Sequence, residues 1–235
     1  FDMVGISAVV STAYAYTKYL VKIIRDIKKE TVIFLGGGLA ASAEILHIKA
    51  NVDFCVLGDG EIISQNLVKT IKENKTSDSD LEKIKGISYI NSNGKFKFTG
   101  YDHALPASMI ERPDYGILEE INCVDYYLGS NDNSILKLAN LRPDLKFDKT
   151  TGMATVVVAK GCVARCTFCH RFEKGYRVSP LESIIDHLQM LKDKYNVKYL
   201  VIGDENFGSY KDETQQLVIA MNKMGFYWKA SGVRA

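Results

Sequence analysis

The feature that most constrains this chain is a repeated exchange of period. Short β-branched runs alternate with amphipathic stretches, and glycines stand where one gives way to the other. Residues 3–10 read as a strand. Residues 12–28 carry a helical stripe at Ala13, Tyr16, Leu20, Ile23, Ile24 and Ile27. A strand at 31–35 ends in Gly36-Gly37-Gly38, and a short helix follows at 39–49. A strand at 52–57 ends in Gly58-Asp59-Gly60-Glu61, and Ile63, Leu67 and Ile71 mark the next helix. Strands with continuous apolar runs, each followed by a helix, predict a parallel sheet covered on both faces.

The alternation then weakens. Residues 72–80 are polar and read as a solvated loop. Two strand-like runs, 86–90 and 95–99, flank Asn91-Ser92-Asn93-Gly94, a hairpin signal because Asn-Gly tolerates positive φ. From 100 to 152 the pattern is interrupted by Pro106, Pro113 and Pro143, with helical character only at 117–128 and 134–141, as expected of an interdomain connection. Regular order resumes with a strand at 154–159. Ser179-Pro180-Leu181-Glu182 predicts a helix start, with Ser179 as N-cap, Pro180 in the first position and Glu182 closing a capping box. The helix presents Leu181, Ile184, Ile185, Leu188 and Leu191. A strand at 197–202, a helix at 212–224 and a strand at 226–231 complete a second βαβαβ unit. In parallel α/β folds, sites gather at the C-terminal strand ends.

Composition narrows the function. The 235 residues carry 30 basic and 28 acidic side chains, net +2, which gives no electrostatic reason to expect nucleic acid or an anionic membrane as partner. No apolar run approaches the roughly 18–20 residues of a membrane span. Residues 1–10 lack the basic start and cleavage site of a signal peptide. Both ends fall inside strand-like runs, which reads as a piece of a longer protein. The cysteines are five, an odd number, and Cys162, Cys166 and Cys169 crowd one short loop. That pattern suits metal binding in a reducing cytoplasm better than a disulfide framework.

The cluster is Gly161-Cys162-Val163-Ala164-Arg165-Cys166-Thr167-Phe168-Cys169, spaced Cys-x₃-Cys-x₂-Cys after a strand. Thiolates ligate iron–sulfur clusters, and a [4Fe–4S] cube offers four iron corners. Three protein thiolates leave one corner open to a small molecule. Zinc is the competing reading, because His170 completes a Cys₃His set. Against it, adjacent residues rarely reach one tetrahedral ion together.

These residues resemble the signature of the radical S-adenosylmethionine (radical SAM) superfamily, whose three cysteines follow the first strand of a partial β/α barrel. Cys162, Cys166 and Cys169 match position by position, as does the aromatic Phe168 before the third cysteine. The resemblance implies that the open iron chelates S-adenosylmethionine. One electron then cleaves its sulfonium to give a 5′-deoxyadenosyl radical. It places Phe168 near the adenine and brings the loop Gly203-Asp204-Glu205-Asn206-Phe207 near the methionine ammonium, with Asp204 and Glu205 preferred over Asn206 as acceptors. Arg171 and Arg177 are candidates for a substrate carboxylate or for docking the electron donor. A flavodoxin- or ferredoxin-type donor is implied as partner.

The first half resembles the cobalamin (B12)-binding domain of one radical SAM branch. The likeness rests on Val4-Gly5-Ile6-Ser7 followed by Ser11-Thr12, then Gly36-Gly37-Gly38, then Gly58-Asp59-Gly60-Glu61. It implies that Ser7, Ser11, Thr12, Gly36, Gly37, Gly38, Gly58 and Glu61 hold the nucleotide tail and corrin edge. The Asp-x-His-x-x-Gly motif that ligates cobalt in many such domains is absent here, and His47, His103 and His187 lie outside its context. Cys55 and Cys123 read as buried packing residues.

The expected architecture is therefore α/β throughout. Residues 1–75 form an incomplete Rossmann-like cobalamin-binding-type parallel sheet. Residues 76–153 form a hairpin and linker. Residues 154–235 form the first βαβαβ part of a radical SAM partial TIM barrel. The expected activity is cobalamin-dependent methyl transfer to an unactivated carbon of a small or lipid-like substrate, with ring formation or rearrangement as the alternative. Two rivals stand beside it: a zinc-binding module, and a dinucleotide-dependent oxidoreductase using Gly36–Ala41 with Asp53 as the ribose ligand.

Overall fold

The computed structural model describes residues 1–110, 112–129, 147, 150–167, 169 and 175–233. The chain divides into two compact units, Phe1–Ala104 and Leu105–Ala235.

The first unit is built on β1 (Met3–Ser7), β2 (Val32–Gly36) and β3 (Phe54–Val56), parallel and adjacent, followed by β4 (Ile87–Ile90) and β5 (Phe96–Phe98), which join antiparallel. The hairpin expected in the linker thus completes the first sheet, turning at Gly94 with φ +73. Side chains of one strand alternate between two cores. Ile33, Leu35 and Cys55 join Val21 and Leu46 from α1 (Tyr14–Ile27) and α2 (Ala43–Ala50). Phe54 and Val56 join Ile63, Leu67 and Leu81 from α3 (Gly60–Lys72) and α4 (Asp78–Leu81). The helix α4, capped by the Ser77 side chain, lies at the end of the stretch expected to be loop.

The apolar stripe of α1 is rotated from its expected position. Thr17 and Val21 are buried and Ile24 packs on the core, while Tyr16, Ile23 and Ile27 are exposed. A 3₁₀ turn over Ser11–Ala13 precedes the helix.

The second unit has a parallel sheet of β6 (Gly152–Val156), β9 (Val197–Ile202) and β10 (Tyr227–Ala230), with β9 central. Two helices cover one face: α7 (Leu181–Tyr195) supplies Ile184, Leu188 and Leu191, and α8 (Lys211–Lys223) supplies Leu217 and Met221. The helical stretch 117–128 is two pieces, α5 (Gly116–Glu120) and α6 (Val124–Leu128), separated at Asn122 with φ +53. The helix expected at 134–141 lies outside the described residues. An antiparallel ribbon absent from the sequence reading, β7 (Ala159–Gly161) with β8 (Tyr176–Val178), closes the base of the cysteine loop. The strand expected at 154–159 breaks at residues 157–158 to feed it. The expected Ser179 cap is also different: Pro180 occupies the N-cap, and no side chain bonds the first turn of α7.

No helix among the described residues is long and apolar enough to cross a membrane.

One buried polar chain in the first unit has a pH consequence. His47 Nδ1 lies 2.7 Å from the Val52 carbonyl oxygen, so this nitrogen carries the proton. Nε2 then accepts from the Ser88 hydroxyl at 2.9 Å. Ser88 also bonds the buried Cys55 thiol, which burial pushes up to about 12. Burial holds His47 below its ordinary value of 6.5 despite the Val52 bond. The unfolded chain therefore binds a proton more readily, and stability falls as pH drops below about 6.5. Urea unfolding followed by circular dichroism should show a lower midpoint at pH 5.5 than at pH 7.5. The slope should flatten in His47→Gln.

Candidate functional site

In the first unit the parallel register sets Ser7 beside Gly36. Ala8 N–H donates to Gly36 O at 2.9 Å, and Leu39 N–H returns to Ala8 O at 2.9 Å, so the two loops leaving β1 and β2 are laced together. Gly37, with φ +85, sits in this lacing, where a Cβ would stand 2.7 Å from Ala8 O. Gly36 has open space where its Cβ would be, and Gly58, with φ +107, stands exposed beyond β3. Ser7 at the end of β1, Ser11 and Thr12 in the 3₁₀ turn and Glu61 in the first turn of α3 are exposed at these same C-terminal strand ends. The result is a cradle of backbone and small side chains that a large ligand can approach closely. Val9 and Val10, 71% and 56% exposed, add an apolar surface at the same edge. In the sequence they read as the end of the first strand. Their signal was an apolar run longer than a five-residue strand needs.

Asp53 does not belong to this edge. It begins β3, accepts from Ile33 N–H at 2.6 Å and pairs with Arg25 at 2.7 Å. That occupation, at the opposite end of the strands, removes the ribose ligand from the dinucleotide reading.

In the second unit the C-terminal end of β9 organises the chemistry-bearing segments. Gly203 N–H donates to Val156 O at 2.9 Å and extends the β6–β9 pairing by one step. The next residue, Asp204, is 4% exposed. Its Oδ1 accepts from Val158 N–H at 2.8 Å and Ala159 N–H at 3.1 Å. Oδ2 is buried with no partner among the described residues. Burial raises the carboxyl above its ordinary value, and the two N–H bonds pull it back only in part. Asp204 therefore bridges β9 to the segment that leads into the cysteines. Glu205 and Gly203 are exposed beside it, while Asn206 is buried and donates to Ser209 Oγ at 2.5 Å. Gly232 packs against this loop, where a Cβ would lie 2.7 Å from Glu205 O.

The cysteine loop leaves the ribbon through Gly161, φ +80, where a Cβ would meet Gly175 O at 2.3 Å. Cys162 and Cys166 are half-buried and Cys169 is exposed, all as free thiols. Cys162 Sγ accepts from Ala164 N–H at 3.3 Å, and Cys169 N–H bonds Cys166 O at 3.2 Å, closing the Cys-x₂-Cys turn. Among the described residues, no three His, Cys, Asp or Glu side chains gather as a single metal ion requires. A cube asks something different, because each thiolate takes its own iron corner. Three accessible thiols on one glycine-hinged loop fit that demand. Arg177 is committed elsewhere, donating to Leu105 O at 2.6 Å. Phe168, His170 and Arg171 lie outside the described residues.

Residues 1–68 match the family model of the B12 binding domain. The chain is 21% identical to the cytidylyl-2-hydroxyethylphosphonate methyltransferase of Streptomyces wedmorensis, over 97% of this chain and 44% of that protein. It is 22% identical to the anaerobic magnesium-protoporphyrin IX monomethyl ester cyclase of Cereibacter sphaeroides, over 87% of this chain and 30% of that protein. The chain spans less than half the length of these curated relatives. Its fold is similar to that of the cobalamin-dependent S-adenosylmethionine radical enzyme OxsB, with TM-score 0.61, 20% identity, and 94% of this chain covering 28% of that one. It is also similar to the radical S-adenosylmethionine methyltransferase TsrM from Kitasatospora setae, with TM-score 0.63, 16% identity, and 95% of this chain covering 40% of that one.

The bridge made by Asp204 has a measurable stability. Asp204→Ala leaves two buried N–H groups without an acceptor, at about 1–3 kcal/mol each. Urea unfolding should register a loss of about 2–5 kcal/mol, and Asp204→Asn, which keeps an oxygen on Val158 and Ala159, should lose less.

Proposed function

From its place among B12-binding-domain-containing radical SAM proteins, we propose that this chain holds a [4Fe–4S] cluster on Cys162, Cys166 and Cys169 and S-adenosylmethionine beside it. The observation that carries the reading is the accessible Cys-x₃-Cys-x₂-Cys loop anchored by Asp204 to the end of a parallel sheet. Bound there, the cluster would supply the electron that cleaves S-adenosylmethionine to methionine and a 5′-deoxyadenosyl radical. Gly203, exposed at the end of β9, lies beside the cofactor's methionine part. Glu205, exposed at the strand end, accepts from the ammonium in a charge-assisted bond. Asp204 acts as a positioning residue, since its Oδ1 is spent on the loop base. Phe168 completes the set near the adenine.

In the first unit, Ser7, Ser11, Thr12, Gly36, Gly37, Gly38, Gly58 and Glu61 cradle cobalamin, with Val9 and Val10 against its apolar face. The combination supports methyl transfer to an unactivated carbon of a small substrate, fed by a flavodoxin- or ferredoxin-type donor in a reducing cytoplasm. Ring formation is the second reading, favoured by the 22% identity to the cyclase.

Anaerobic reconstitution should load about four irons per chain, as a three-thiolate cube requires, and Cys166→Ala should abolish the absorbance. A stoichiometric zinc ion instead would overturn the proposal. Glu205→Gln should keep the iron and weaken S-adenosylmethionine binding about tenfold, the loss of one charge-assisted bond. Unchanged affinity would remove Glu205 from the site.

A further inference from the structure

The capping pattern at residues 179–182 goes unused in the fold, and what it leaves behind is a second polar site. α7 is 15 residues long and begins with Pro180 at its N-cap, which has no N–H and no capping side chain. Its first intrahelical bond runs from Ile184 N–H to Pro180 O at 3.1 Å. The first-turn N–H groups ahead of it present a positive helix end. Ser179 is 8% exposed, and its backbone N–H is spent on Val158 O at 2.9 Å. Its hydroxyl has no hydrogen-bond partner among the described residues.

Ser179 lines a cleft of about 220 Å³ between the β6 edge, the start of α7 and the segment before α5. Arg112, Lys160, Ser183 and His187 line it as well. No Asp or Glu is among the described lining residues; Glu182, in the same first turn, is exposed and outside the lining. Arg112 makes no ion pair or hydrogen bond among the described residues, yet it lies near enough to His187 to lower that imidazole's pKa together with burial. His187 Nε2 is 3.0 Å from Tyr115 Oη, which fixes the ring at the cleft wall.

We propose that this cleft binds a phosphate group, either inorganic phosphate or the phosphate end of a small monoester. A guanidinium fork, two hydroxyls and a helix N-terminus line the cleft together, donors that suit a phosphate oxyanion. A cleft of about 220 Å³ has room for a phosphate and attached atoms. Neither the cysteine loop's cofactors nor the first unit takes part, so the site is testable with no cluster bound.

The test is calorimetric titration of the 235-residue chain with inorganic phosphate at low ionic strength. Saturable one-to-one binding is expected, competed by sulfate and not by acetate. Arg112→Gln and Ser179→Ala should each weaken it about tenfold or more, as the loss of a charge-assisted contact does. Both should leave the phosphate-free thermal midpoint unchanged, because neither side chain holds a bond within the described fold. Tighter binding of glycerol phosphate assigns the site to a monoester, and equal or weaker binding to free phosphate; both outcomes support the proposal. Absence of saturable binding at millimolar phosphate, equal competition by acetate, or indifference to both substitutions overturns it.

Discussion

One carboxylate oxygen accepting two backbone N–H groups governs the second unit. Val158 lies between β6 and the ribbon and Ala159 is the ribbon's first residue, at the corner where one ladder gives way to the other. Asp204 Oδ1 takes both at 2.8 and 3.1 Å. The arrangement converts a break in a strand into a fixed corner. Without it the ribbon, and the sulfur-bearing loop it carries, would be held to the sheet chiefly by side-chain packing. Buried backbone groups left without acceptors would make the corner costly, which is why an acidic residue stands there rather than an apolar one. Its neighbours are then free for other work: Glu205 and Gly203 remain at the surface because Asp204 alone carries the structural duty.

The first unit reaches a comparable end by removing side chains instead of adding one. Ala8 and Gly37 approach so closely that a single methyl would collide with Ala8 O. The lacing of these loops leaves their outer surface as bare backbone and small hydroxyls, flanked by Val9 and Val10. Such an edge costs conformational entropy and exposes apolar surface that a self-contained fold would cover. The expense is intelligible if a large, partly flat ligand completes it.

The sequence was most legible where a period repeats. The two parallel sheets, the hairpin and the helices at 60–72, 181–195 and 211–223 follow from apolar spacing and glycine punctuation. It was least legible where a single contact decides. The face of α1 that meets the core carries Thr17 and Val21, and a polar Thr hides that face from a reading of apolar spacing alone. The ribbon of β7 and β8 has only three residues a side, too few for a period-two signal to stand out, and its existence depends on Asp204 some forty-five residues away. Ser179 illustrates the reverse failure. The capping pattern was present, but the chain enters the helix one residue later, and a residue with all the marks of a cap is left with its hydroxyl unspent. Among the candidate residues, the cysteines and glycines stand out in the sequence because their chemistry and conformational freedom are rare. Asp204 was readable as a special residue but not as a structural one, since an acceptor for ligand ammonium and an acceptor for backbone N–H look alike in sequence.

The choice between zinc and a cube turns on what each asks of a loop. A single tetrahedral ion draws its ligands to one point, so the loop must fold tightly around it and the thiols must point inward. A cube spreads its ligands over separate corners and accepts a wider, shallower loop. The loop here leaves the ribbon at a positive-φ glycine, Gly161, that faces Gly175 across the base. Its cysteines are half-buried or exposed, and Cys162 Sγ accepts one backbone N–H. Three thiols held on one loop can each take a separate corner. The fourth corner, with no protein donor assigned to it, would then be the place for chemistry.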